Sequence, residues 1–201
     1  MKDLLLPYTQ GADSTKKDLA VALLNYGAAA QVYFGYNYDE ADPTTLVNNA
    51  LTDEQKVIDI REATASVSVT GSGARNVYNT VLLESKIVLY AIFNLSDYSS
   101  RIGELTAVVT NAETGETVAR LPVTAMGTNG SFRFDDVSAK NTRTVFSIAI
   151  YDGETRISQE LQWSIECMVS GCRADTGASQ AKLNLANAIL AYGDYAAAYL
   201  G

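Results

Sequence analysis

Histidine is missing from all 201 residues of this chain. That removes the commonest general base, the commonest zinc ligand and the usual partner of a serine or cysteine nucleophile. Basic residues are also scarce: 15 Lys and Arg stand against 23 Asp and Glu, a formal charge of −8, with a pI near 4.5. A protein that neutralises phosphates needs a basic face, so nucleic acid and anionic membrane surfaces are poor partners. No apolar run approaches the ~18 residues that suffice to cross a bilayer, which predicts no membrane insertion. Leu4–Leu6 is too short an apolar stretch for a signal peptide. For a secreted parent, the targeting signal is therefore expected outside this segment. Cysteine occurs twice, Cys167 and Cys172 in ECMVSGC. A C-x4-C pair alone falls short of the roughly four ligands of a structural zinc site. Two small thiols, buried or free, or a disulfide if Gly171 bends the chain, are the readings left open. No cofactor is expected.

What is present describes a folded protein: 47% hydrophobic residues and a mean hydropathy near zero belong to a chain with a core. Its length suits one good core with a small helical appendage.

One phrase occurs twice. Residues 18–35, DLAVALLNYGAAAQVYFG, align without gaps on residues 184–201, NLANAILAYGDYAAAYLG, at an offset of 166. Leu19/Leu185, Ala22/Ala188, Leu24/Leu190, Tyr26/Tyr192, Gly27/Gly193 and Tyr33/Tyr199 are among the identities. Recurrence of a unit implies a piece of a modular array, with neighbouring modules of the same polypeptide as partners. Both copies are helical in pattern. Leu19, Leu23, Tyr26, Ala30 and Tyr33 in the first, and Leu185, Ile189, Tyr192, Ala196 and Tyr199 in the second, line one face and are expected to be buried. Gly27 and Gly193 are expected to mark close helix contacts.

Residues 1–13 read as a linker. The segment 14–63 is helical: a first helix from near Ser14, Thr15 or Asp18 to Phe34, stopped by Gly35 and Asn37, then a loop (35–50) containing Pro43. A second short helix is expected after it, because Thr52 and Gln55 spell a capping box. From 64 to 166 the period changes to two, in seven or eight short runs rich in β-branched and aromatic residues. Turn glycines separate them, Asp152-Gly153 being the clearest hairpin signal. This is the pattern of an antiparallel Ig-like β-sandwich. Residues 167–201 read as a loop and a C-terminal helix. The fold class is mainly β with flanking helices (α+β), the helices packed with the sandwich into one compact unit, and Trp163 in the core.

The strings LLNYGAAAQVYFGYN, IAIYDGETRISQELQWSI and ILAYGDYAAAYLG resemble a module of large secreted or cell-surface proteins of gut Clostridia (Firmicutes). In that family an Ig-like sandwich passes through a short segment into a "YGAAAQ"-type helix. Tyr26 to Gln31, Tyr151 to Gly153 and Tyr192-Gly193 carry the likeness; Asp194 and Tyr195 depart from it, standing where the first copy has Ala28 and Ala29. The resemblance implies a secreted or surface location and a non-catalytic module, acting as spacer or adhesin toward a host secreted protein, such as an immunoglobulin, or a glycan. An accessory carbohydrate-binding domain of a polysaccharide-degrading enzyme is the alternative. No catalytic residue carries across.

Residue patterns that suggest chemistry mostly dissolve on inspection. Asp39-Glu40-Ala41-Asp42 has helicase-box letters but no phosphate loop, and Leu121–Ala125 has sorting-signal letters but lies inside a strand. Asp135, Asp136 and Asp152 read as turn residues, where carboxylates are expected to be solvated or to make local hydrogen bonds. Asn37, Asp39, Asp42, Asn48 and Asn49 carry oxygens that calcium could use, at a spacing that matches no EF-hand. The ligand-binding candidates are Tyr36, Tyr38 and Tyr98, aromatic residues in loops with polar neighbours.

Overall fold

Asp13 and Gly35 set the limits of the first long helix. The Asp13 carboxylate accepts the Lys16 N–H, and Gly35 stops the helix in the left-handed conformation at φ 63°. The computed structural model describes residues 2–84 and 86–201. Its helices are α1 (Lys2–Thr9), α2 (Ser14–Phe34), α3 (Ile165–Ala174) and α4 (Gln180–Leu200). Residue contacts divide the chain into two compact units, where the sequence suggested one. The first comprises Met1–Thr64, Ala139–Thr142 and Val169–Gly201; the second, Ala65–Ser138 and Arg143–Met168.

In the first unit α2 packs on α4. The pair is antiparallel: the first half of α2 (Asp18, Val21, Ala22) shares one small cavity with the second half of α4 (Ala188, Ala191, Tyr195). Tyr26 stacks on Tyr192 with ring centroids 5.8 Å apart, so equivalent positions of the repeated phrase meet near a local pseudo-twofold. The buried face of α2 is not the Leu/Tyr stripe. Ala20, Leu24 and Ala28, with Ala22, Asn25 and Ala29, are buried, while Tyr26 is half-buried and Tyr33 exposed. Alanines permit the closer approach, and the bulky stripe flanks the contact. In α4 the expectation holds for Leu185, Ile189 and Ala196 and fails for exposed Tyr199. The two glycines meet loops, not helices: a Cβ on Gly27 would lie 2.9 Å from Val47, and one on Gly193 would lie 2.0 Å from Thr142 Oγ1.

Three stretches differ from the sequence reading. Residues 2–9, read as linker, form α1, which packs on α2 and buries Thr9; packing stabilises a helix too short to persist alone. The capping box forms in both directions, Thr52 N–H to Gln55 Oε1 at 3.1 Å and Gln55 N–H to Thr52 Oγ1 at 3.3 Å. It nucleates one turn only, because the Asn25 amide takes the Gln55 carbonyl at 2.7 Å, which a longer helix would need for residue 59. Residues 167–174, read as loop, belong to α3, whose first turn is capped by Ser164 Oγ accepting the Cys167 N–H. Trp163-Ser164-Ile165 continues the alternation of the last strand, which hides that switch.

The second unit holds two antiparallel sheets. The order in the first is β1 (Ser68–Thr70), β10 (Glu160–Trp163), β8 (Phe146–Asp152), β4 (Thr106–Asn111), β5 (Thr117–Pro122), with β9 (Thr155–Arg156) also on β8. The other runs β2 (Asn76–Leu83), β3 (Ile87–Asn94), β7 (Asn129–Val137), β6 (Thr124–Met126). Alternate residues of both sheets point inward. Leu89, Ala91 and Phe93 of β3 and Ile148 and Ile150 of β8 are fully buried, and Phe134 meets Phe146 edge-on across the sheets at 5.3 Å. The fold is a mainly-β sandwich with helices. Asp152-Gly153 makes its hairpin, with Gly153 at φ 57°, and Trp163 is buried.

Burial raises the Tyr26 hydroxyl above its ordinary 10.0, with the neighbouring Tyr192 adding to it; burial does the same to Tyr192. A raised folded-state value means that the neutral forms support the fold. That support is intact below the unfolded value and is lost as pH climbs through the folded one. The melting temperature should therefore show a fall beginning above about pH 10. Tyr26→Phe and Tyr192→Phe should each lessen the fall; an identical alkaline profile in both variants would contradict the stacked, half-buried pair.

Candidate binding pocket

One end of the sandwich is closed by segments from different sheets. Residues 71–75 cross from β1 to β2, and Gly73 makes the crossing possible. It sits at φ 100°, and a Cβ there would lie 2.3 Å from the Ile157 carbonyl oxygen, so no side chain is tolerated. On either side of it, the Ala74 N–H donates to Ile157 O and the Gln159 N–H to Ala74 O, both at 2.9 Å. The Asn94 N–H then donates to Arg75 O at 2.9 Å, which sets the crossing beside the end of β3.

The chain leaves β3 through fully buried Leu95, whose N–H donates to Thr128 O, into one helical turn at Ser96–Tyr98. Asn94 Oδ1 accepts the Ser96 N–H at 3.1 Å, so its amide nitrogen is turned to donation elsewhere. Between crossing and turn lies a pocket of about 330 Å³, with Ile157 at one wall and Arg75, Asn94, Ser96, Asp97 and Tyr98 supplying its chemistry. The volume lies at the lower end of the range for small-molecule sites, roughly 300–1,000 Å³.

Tyr98 is half-buried and held from one side. The Arg101 guanidinium lies 5.6 Å from its ring centroid, and Arg101 is itself fixed by Asp152 through two parallel contacts, Nη1 to Oδ1 at 3.1 Å and Nη2 to Oδ2. The ring is thus oriented before any ligand arrives. Arg75 and Asp97 are exposed, and among the described residues neither side chain has an ion pair or hydrogen bond. The arrangement offers a flat apolar ring, a cation, a carboxylate, an amide and a hydroxyl to one small polar molecule.

Of the three tyrosines singled out by sequence, Tyr98 alone lines this pocket. Tyr36 and Tyr38 belong to the first unit. Tyr36 is exposed beyond the Gly35 stop, its N–H donating to Gln31 O at 3.2 Å; Tyr38 is half-buried. Arg75 and Gly73 escaped the sequence reading. The signal for them was GSGA at 71–74, which turns the chain so that residue 76 pairs with 93 and residue 75 arrives beside 94–98.

Of the remaining polar candidates, several are engaged within the protein, and Asp135 and Asp136 lie on strand β7, not in a turn. Asp39 Oδ1 accepts the Ala41 N–H at 2.9 Å and Asp42 Oδ1 the Thr44 N–H at 3.0 Å. The Thr44 hydroxyl and N–H hold the Asp42 carboxyl below its usual range. Asp135 pairs with Lys86 at 3.7 Å. Among the described residues no three His, Cys, Asp or Glu side chains gather around a metal position. Cys167 and Cys172 are buried on α3 without a disulfide, and burial pushes the Cys172 thiol up. Asp194 and Tyr195, the departures from the repeated phrase, gather the 59–61 segment. Tyr195 donates to Asp59 at 2.9 Å, and Arg61 lies 4.6 Å above the Tyr195 ring. No helix among the described residues is long and apolar enough to cross a membrane.

No family model, curated protein sequence or solved structure matches the chain.

Proposed function

We propose that this chain is a non-catalytic binding module of a secreted or cell-surface bacterial protein, and that it engages a host glycan or a glycan-bearing host protein, such as an immunoglobulin, through the Tyr98 pocket. The observation that carries this reading is the pocket itself. An aromatic ring held by Arg101 is ringed by exposed polar groups on loops of a sandwich, the part of such a fold that varies without loss of the core. The repeated phrase supports a place in a modular array, and the absence of histidine weighs against acid–base chemistry. The same polar lining favours the second reading, an accessory carbohydrate-binding domain of a larger enzyme.

Glycan arrays and pull-downs from host secretions with the purified protein test the proposal. The wild type should retain a ligand that Tyr98→Ala loses by at least about tenfold, while a Tyr36→Ala/Tyr38→Ala variant retains it and all melt alike. Loss of capture on substitution of Tyr36 and Tyr38, with Tyr98→Ala unaffected, would move the site to the first unit and overturn the assignment.

A further inference from the structure

The ligand's charge can be read from the arginines. Acids outnumber bases 23 to 15 in this chain, and most of its arginines meet a carboxylate or an amide. Arg101, Arg133 and Arg156 pair with acids in the second unit, as does Arg143 with Glu166. In the first unit Arg61 pairs with Asp59 and Arg173 donates to Asn187. Among the described residues Arg120, on edge strand β5, has no such partner, and Arg75, which lines the pocket, has none either. A guanidinium presents a planar fork that matches a carboxylate with two parallel hydrogen bonds. Beside Arg75 are the acceptors and donors that hydroxyl groups need: Asp97, Ser96 and the free amide nitrogen of Asn94. The Tyr98 ring, with Arg101 5.6 Å from its centroid, supplies a flat apolar face for the C–H side of a sugar ring.

Resting on the pocket assignment above, we propose that this site selects a carboxylate-bearing saccharide residue. Arg75 takes the carboxylate, Asp97 and Asn94 the ring hydroxyls, and Tyr98 the ring face. Asp97 shapes the preference: it repels an anion with no hydroxyls to offer it, and it orients the sugar so that the carboxylate falls toward Arg75. A volume of about 330 Å³ holds one such residue and not a long chain lying within it.

The test compares methyl glucuronide with methyl glucoside, which differ only in carboxylate against hydroxymethyl, by calorimetric titration at about 0.15 M salt. At that ionic strength the Debye length of about 8 Å screens long-range repulsion from the acidic chain. The glucuronide should bind at least about tenfold more tightly. Arg75→Gln should erase that margin while leaving the weak glucoside affinity in place, and Tyr98→Ala should abolish both. Equal affinity for the two sugars, or a margin that survives Arg75→Gln, would overturn the charge selection while leaving the pocket assignment standing if Tyr98→Ala still abolishes binding. Binding of either sugar that is untouched by Tyr98→Ala would overturn both.

Discussion

Gly193→Ala should lower the melting temperature by about 6–12 °C. A Cβ at this position would stand 2.0 Å from Thr142 Oγ1, 2.4 Å from its Cγ2 and 2.7 Å from its Cβ. The obstacle is a short β-branched side chain, buried to 1% exposure, with no flexible end to swing aside. Overpacking of this kind costs about 1–3 kcal/mol, and the geometry here places it at the upper end. For a chain of this size each kcal/mol is worth roughly 2–4 °C. Substitution of Thr142 by Gly in the same chain removes all three atoms and should restore most of the loss, a strong positive coupling between the two sites. Additive effects in the double variant would mean that residues 139–142 do not rest on α4 as described.

Trp163→Ala should be the most damaging single truncation in the second unit. The indole is 1% exposed on β10, and aromatic-to-alanine changes in a core cost about 3–5 kcal/mol. That is a large share of the roughly 5–15 kcal/mol that holds a typical domain together. Denaturant unfolding followed by circular dichroism should show the midpoint fall accordingly, or the sandwich fail to fold. Before substitution, Trp163 fluorescence should be blue-shifted in the native protein, since it is the chain's one tryptophan. A shift of less than about 1 kcal/mol would contradict the packed core.

How legible these features were depended on range. The strands followed from period-two alternation, and α4 from the helical spacing of its second-phrase stripe, because those signals are local. The rotation of the buried face of α2 was not local: a stripe of Leu and Tyr looks like a core, yet alanines at 20, 28 and 29 win where a partner helix comes close. The short helix after Thr52 had its cap and failed because the Asn25 amide, 30 residues away in sequence, donates to the Gln55 carbonyl. The same holds for the site. Tyr98 was visible as a loop aromatic, but its grouping with Arg75 depends on which sheet each strand joins. Tyr36 and Tyr38 shared its composition and fell in the other unit.

The central claim, that ligand enters at the end of the sandwich, is tested most directly by hydrogen exchange of the protein with and without its captured ligand. The account predicts slowed exchange at residues 73–75, 94–98 and 157, where the backbone hydrogen bonds of the pocket lie, with 35–50 unchanged. Protection confined to 35–50 or to the exposed flanks of α2 and α4, with the pocket backbone unaffected, would contradict it.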